Sequence, residues 1–361
     1  MAQTLNSRLV PVPRIDWTEV QSDLAARFGF ADRTDPLFDT LLHAPDVVAG
    51  ALPMTRYVQD SSTLASDHRL VLGLRTAWLE DSAGVWATYA GEASRHPELV
   101  AVSVGQAEAN DPLVPSLLQL ADQLVANSSV NDETWAGLAQ GHDVHWLMDA
   151  VETVAHVSFM SGLARSFGVG TRGGDLAPIP NSSQRPVERR PPTLVTHARI
   201  SPIEGTEIAV LRTFARHPAM NTARRPRSNF INRVSPLTPH DRETLILRIG
   251  WDCQSEYEWA KHVGSVGRSR DHGVDPYRVA AGPSAPDVTA ADAMLMRVAD
   301  DLYQDSMVSD ATWAALTEHY DLTHAMSAVF TASSYRSTSM SLNAYGVELE
   351  PGDERFPPRT S

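Results

Sequence analysis

The sequence predicts an all-α protein, and three observations carry that reading. Apolar residues recur at helical spacing over long stretches; almost no alternating strand pattern is found; and hydrophobic residues make up 42% against 20% charged, the balance of a chain able to bury a sizeable interior.

The elements follow in order. After an extended start through Leu9, Val10, Pro11, Val12 and Pro13, Asp16 reads as an N-cap, with Val20, Leu24 and Phe28 on one stripe. Leu37, Phe38, Leu41 and Leu42 precede Pro45, residues 64–78 are apolar with sparse charges, and residues 117–125 and 135–167 are long amphipathic runs. From Gly170 to Pro192 the text turns rich in Gly, Pro, Ser and Arg and loses its period, which reads as a linker; Arg189 and Arg190 within it read as a solvated basic pair.

A second pass through the same text follows. Leu9-Val10 and Arg14-Ile15 recur as Leu194-Val195 and Arg199-Ile200. Adding 173 carries Thr40 to Thr213, Pro45 to Pro218, Arg69 to Arg242, Arg75 to Arg248, Trp78 to Trp251 and Trp86 to Trp259. Past a short insertion, adding 178 carries Asp122 to Asp300, Asp132 to Asp310, Trp135 to Trp313 and Asp143 to Asp321. This predicts a tandem duplication: a lead-in over 1–34, a first helical domain over 35–169, a linker and second lead-in over 170–207, a second helical domain over 208–349 and a tail over 350–361.

Comparing the copies separates scaffold from chemistry. The shared tryptophans read as core fillers, Asp132 and Asp310 as N-caps, and Arg75 and Arg248 as halves of buried ion pairs, since an unpaired buried charge is costly. Where the second copy has Glu243, Glu258 and His262, the first has Leu70, Val85 and Tyr89. Three titratable groups are absent together, replaced by two aliphatics and a tyrosine. The second copy thus reads as the bearer of a site and the first as chemically silent.

Glu258 and His262 stand one helical turn apart, so a carboxylate can fix the imidazole tautomer and raise its basicity. Glu243, if held in an apolar pocket, would have a raised pKa and serve as the complementary acid or base. The plainer reading of Glu258 and His262 is an ordinary surface pair. Around them, Ser255, Tyr257, Trp259 and Arg248 are candidate substrate-binding residues; the competing roles are a helix cap for Ser255, core packing for the aromatics and an ion pair for Arg248. His142 and His145 could hold a metal but lack a nearby third ligand, so no metal and no cofactor are expected.

The run LTPHDRETLILRIGW followed by EYEWAKH, then Gly273 and later SDATWAAL, resembles the carboxymuconolactone decarboxylase family, which includes the alkylhydroperoxidase branch. The resemblance covers both copies and is stronger in the second. It implies compact all-α units packing into rings, hence a homo-oligomer: a trimer of two-domain chains resembling a hexamer, or a dimer. In the alkylhydroperoxidase branch the site is a glutamate, a CxxC pair and a histidine. Here the glutamate matches Glu243 and the histidine His262, but the cysteine positions hold Ser255 and Glu258, and the single cysteine, Cys253, has no resolving partner. A dithiol peroxidase cycle is excluded for want of a second thiol. The resemblance then implies cofactor-free decarboxylase, lyase or isomerase chemistry on an acidic or carbonyl-bearing small molecule, in secondary or aromatic-compound metabolism. The alternatives are a one-cysteine peroxidase using Cys253 and a non-catalytic binding or scaffold protein.

A net charge of −14 argues against nucleic acid as a partner. No signal peptide and no long apolar run is found, so no membrane partner and a cytoplasmic location are expected.

Overall fold

The computed structural model describes residues 8–170, 179–180, 195 and 197–358. The expected linker, with Arg189 and Arg190, lies outside the described residues except for Gly170, Ile179 and Pro180, as does Leu194. Among the described residues all regular structure is helical. The first half runs α1 (Glu19–Phe28), α2 (Pro36–Leu41), α3 (Pro45–Asp60), α4 (Ser66–Leu79), α5 (Ala83–Glu92), α6 (Pro97–Ser103), α7 (Val114–Asn127), α8 (Asp132–Ala139) and α9 (Val144–Ser166). The second runs α10 (Ala209–Phe214), α11 (Pro218–Asn229), α12 (Pro239–Asp252), α13 (Glu256–Val263), α14 (Pro276–Ala281), α15 (Ala290–Asp305), α16 (Asp310–His319) and α17 (Leu322–Tyr345). No helix is long and apolar enough to cross a membrane, among the described residues.

Helix starts repeat at the sequence offsets. Adding 173 moves the first residues of α2, α3, α4 and α5 onto those of α10, α11, α12 and α13, and adding 178 moves those of α8 and α9 onto α16 and α17. The ion pair expected of the shared arginines is present twice: Arg75 Nε donates to Asp122 at 2.6 Å and Arg248 Nε to Asp300 at 2.5 Å. One apolar cluster nevertheless draws residues from both halves. The nearly wholly buried α9 and α17 pack against each other, with the edge of Phe159 on Phe330 and Glu152 of α9 accepting from Ser341 and Tyr345 of α17.

Local chemistry explains the helix starts and corrects several of them. The cap of α1 is Thr18, not Asp16: Thr18 and Gln21 bond each other's backbone N–H groups in a reciprocal capping box, while Asp16 ends a short 3-10 turn. The buried stripe of α1 is accordingly Gln21, Leu24, Ala25 and Phe28, and Val20 is exposed. Asp132 and Asp310 are each one residue inside their helices, whose caps are Asn131 and Ser309. Asp143 and Asp321 do cap α9 and α17.

The two aspartates displaced from capping serve a different purpose. Arg199 bonds Asp132 at 2.6 Å and lies over Trp135, and Arg8 bonds Asp310 at 2.6 Å and lies over Trp313. Each lead-in therefore clasps the opposite half. Backbone bonds place the lead-ins in register: Leu9 N–H donates to Phe167 O and Ile200 N–H to Tyr345 O, while Val12 N–H donates to Asp39 O and Ile203 N–H to Arg212 O. These pairs relate Leu9 to Ile200 and Val12 to Ile203, an offset of 191 that overturns the match of Arg14 to Arg199 suggested by the text.

Candidate active site

The α12 helix is capped by Thr238, whose hydroxyl accepts from Asp241 N–H, and the next residues inward are Arg242 and Glu243. After a tight turn at Cys253 and Gln254, α13 brings Glu258 and His262 back against α12. Glu243, Glu258 and His262 are 1%, 6% and 3% exposed, so the surface-pair reading fails. His262 Nδ1 lies 2.6 Å from Glu243 Oε2 and Nε2 lies 2.9 Å from Glu258 Oε1. Arg242 Nε donates to Glu243 Oε1 at 3.1 Å.

An ionised carboxylate only accepts, so two carboxylates on the two ring nitrogens require both to carry hydrogen, which makes the ring an imidazolium. Burial pulls the His262 pKa down, but the two carboxylates outweigh it and push it up to about 10. Glu243 departs from expectation in the opposite direction. Burial alone would raise its pKa, but the charge and hydrogen bond of His262, then those of Arg242, bring it below the ordinary glutamate value. With two carboxylates, an imidazolium and a guanidinium, the buried cluster is formally neutral, which makes its burial tolerable.

The ring against His262 is Tyr335 of α17, edge-on at 5.1 Å between centroids. Burial, then the charges of Glu258 and Glu243, hold its hydroxyl well above the usual phenol pKa, so it stays protonated. Tyr335 and Arg242 keep partial exposure and mark the side of the cluster nearest solvent. Gly267, in the loop after α13, lies directly over the carboxylate–imidazole contact; a Cβ there would meet Glu243 Oε2 at 2.1 Å. Neither Tyr335 nor Gly267 was singled out by the sequence reading, although comparing copies offered a signal: adding 178 relates Tyr335 to Val157, a further change at the same place.

Of the other candidates, Tyr257, Trp259 and Arg248 are engaged elsewhere. Tyr257 Oη accepts from Val210 N–H at 3.0 Å and so anchors α10. Trp259 is fully buried among Leu247, Val263, Val279 and Met296, beside Phe356. The Arg248 guanidinium is taken by Asp300, Asp252 and the carbonyls of Val279 and Ala280, so the ion-pair role displaces the substrate-binding one. Ser255 is buried at the start of α13 without a side-chain capping bond, and its hydroxyl oxygen lacks a hydrogen-bond partner; Ser82 in the first half also has a buried hydroxyl without one. His142 and His145 address different groups, the first donating to Leu138 O and the second to Arg216 O, and among the described residues no three potential ligands gather at metal-binding spacing. Cys253 is buried against Ile249, Ala299 and Tyr303.

No family model, no curated protein and no solved structure matches this chain.

Proposed function

We propose that the chain is a duplicated, carboxymuconolactone-decarboxylase-like enzyme whose second half performs cofactor-free acid/base chemistry on an acidic or carbonyl-bearing small molecule. The observation that supports this is the imidazolium of His262 held between Glu243 and Glu258, at positions where the first half has only Tyr89, Leu70 and Val85. A ligand entering beside Tyr335 displaces the Glu258 contact, the longer and more exposed of the two. His262 then protonates the developing oxyanion or carbanion, while Glu243 keeps the ring oriented and Glu258 accepts a proton. Such a reaction is a decarboxylation, an elimination or an isomerisation. The chain works as a homo-oligomer, for which exposed Val10, Ile15, Leu211 and Val234 offer apolar surface.

The test is a panel of β-keto acids, lactones and hydroxy acids incubated with the protein in D2O and followed by NMR for loss of carbon dioxide or solvent-deuterium incorporation. Turnover lost in His262→Asn and in Glu243→Gln supports the reading; turnover retained in both sinks it. Light scattering checks the assembly, and a monomer mass would remove that part.

A second reading, a non-catalytic protein in which the cluster only holds α12 to α13, is favoured by one observation: both imidazole nitrogens are paired and buried. Burial of Cys253 weighs against a one-cysteine peroxidase, because a thiol out of reach of solvent meets peroxide slowly.

A further inference from the structure

Arg242 enters the charged cluster with most of its donors unused. A guanidinium carries several N–H groups in a planar fork. Arg242 gives Nε to Glu243 Oε1 at 3.1 Å, and among the described residues its two Nη groups meet no acceptor and no further carboxylate at ion-pair distance. The Asp241 carboxylate, next to it in the chain, faces the Tyr320 hydroxyl instead.

The matching arginine of the first half is answered from within. Arg69 gives Nη1 to Glu92 Oε2 at 2.8 Å. Adding 173 to Glu92 gives Ser265, an exposed residue in the loop after α13. The second half therefore keeps the cation and loses the carboxylate that answers it, in the same neighbourhood where it gains Glu243, Glu258, His262 and Tyr335.

A second donor stands beside it. The Tyr335 hydroxyl keeps its hydrogen, yet among the described residues it bonds neither glutamate nor any other group. Arg242 is near enough for its charge to act on that hydroxyl. Neither residue is sealed: both keep partial exposure, and the buried polar atoms that lack a partner include Ser255 Oγ and Trp259 Nε1 but none of theirs. One cationic fork and one neutral hydroxyl, side by side on the accessible edge of the cluster, match a planar anion with two oxygens. Glu243, by holding Nε, fixes the plane in which the fork lies.

We propose that Arg242 and Tyr335 form a carboxylate anchor, in which Nη1 and Nη2 of Arg242 and the Tyr335 O–H donate to the two oxygens of a carboxylic acid bound as its anion. The inference rests on the acid/base reading for the fate of that ligand, and it narrows the substrates from acidic or carbonyl-bearing compounds to acids. A neutral amide of the same shape turns an NH2 toward the fork, where donor meets donor, and is rejected.

The experiment is ligand-observed NMR titration of the full chain at pH 7 and fixed ionic strength with propionate, with propionamide as the neutral shape control. Saturable binding of propionate is expected, with a Kd on the order of 10 mM for so few atoms, and propionamide should bind at least roughly tenfold more weakly. Arg242→Gln should weaken propionate at least roughly tenfold and Arg242→Lys less, since a point charge attracts the anion without forking onto it. Tyr335→Phe should weaken it roughly fivefold; it removes one oxygen and decides the matter if Arg242→Gln does not fold. Equal binding of the two probes, absence of saturable binding, or full affinity in folded Arg242→Gln overturns the anchor, and full affinity in Tyr335→Phe removes the hydroxyl from it. Turnover assays on the same proteins separate the two readings. Turnover with propionate bound equally by wild type and Arg242→Gln overturns the anchor alone; propionate held through Arg242, with no acid turned over, supports the anchor and removes the acid/base reading.

Discussion

Gly267 sits over the contact between Glu243 and His262, and a Cβ built on it would come 2.1 Å from the carboxylate oxygen and 2.6 Å from His262 Nδ1. The loop can lie this close to the charged cluster only because it presents backbone hydrogen there. Gly267→Ala should therefore either lift the loop or part the acid from the imidazole, costing on the order of 2 kcal/mol. Chemical denaturation measures the loss, and wild-type stability in the variant would mean the loop already has room to move.

The charged cluster should leave a signature in the pH dependence of stability. The His262 pKa is raised in the folded chain, so its contribution is fully present below the unfolded imidazole value of about 6.5 and is lost progressively as pH rises through about 10. Glu243 is lowered, so its share is present above the ordinary glutamate range and is lost as pH falls through its depressed value. Thermal melts of wild type and His262→Asn should differ most near pH 6 and converge by about pH 10. A gap that widens toward alkaline pH would contradict a cationic ring.

Arg75 and Arg248 occupy matching places with matching aspartates, Asp122 and Asp300, which are 34% and 25% exposed. Arg75→Met and Arg248→Met should each cost about 2 kcal/mol, between the surface and fully buried cases. Equal losses in the two halves are expected. A loss of turnover in Arg248→Met beyond its loss of folded protein would return that residue to the substrate-binding role.

Cys253 is fully buried, so Ellman's reagent should not react with the native chain and should titrate one thiol after unfolding. Cys253→Ala should leave turnover within a few-fold. Fast labelling of the native protein would reopen the peroxidase reading.

The helices and the meeting of Glu243, Glu258 and His262 were legible because they rest on local period and on contrast between two related stretches. Asp16, Asp132 and Asp310 were misplaced as caps for a physical reason: several oxygen-bearing side chains in a row can all accept from a helix start, and only the backbone turn chooses among Thr18, Asn131 and Ser309. The direction of the Glu243 pKa was missed because burial was weighed without the charge and hydrogen bond of His262 and, after them, those of Arg242, its immediate neighbour in the chain. Tyr335 arrives from a helix remote in sequence, and nothing local announces that its ring edge faces His262.

The crossed clasps bear on how the chain comes into being. Arg8 finds Asp310 across a separation of 302 residues, so this clasp cannot close until most of the polypeptide has left the ribosome, whereas the bonds of Leu9 to Phe167 and of Val12 to Asp39 need only the first half. Arg199, by contrast, reaches back 67 residues to Asp132, which has already been made. Synthesis thus imposes an order, with the second clasp able to close early and the first waiting on the penultimate helix, so a nascent chain halted before residue 310 holds its leading end only through the bonds to Asp39, Ser166 and Phe167.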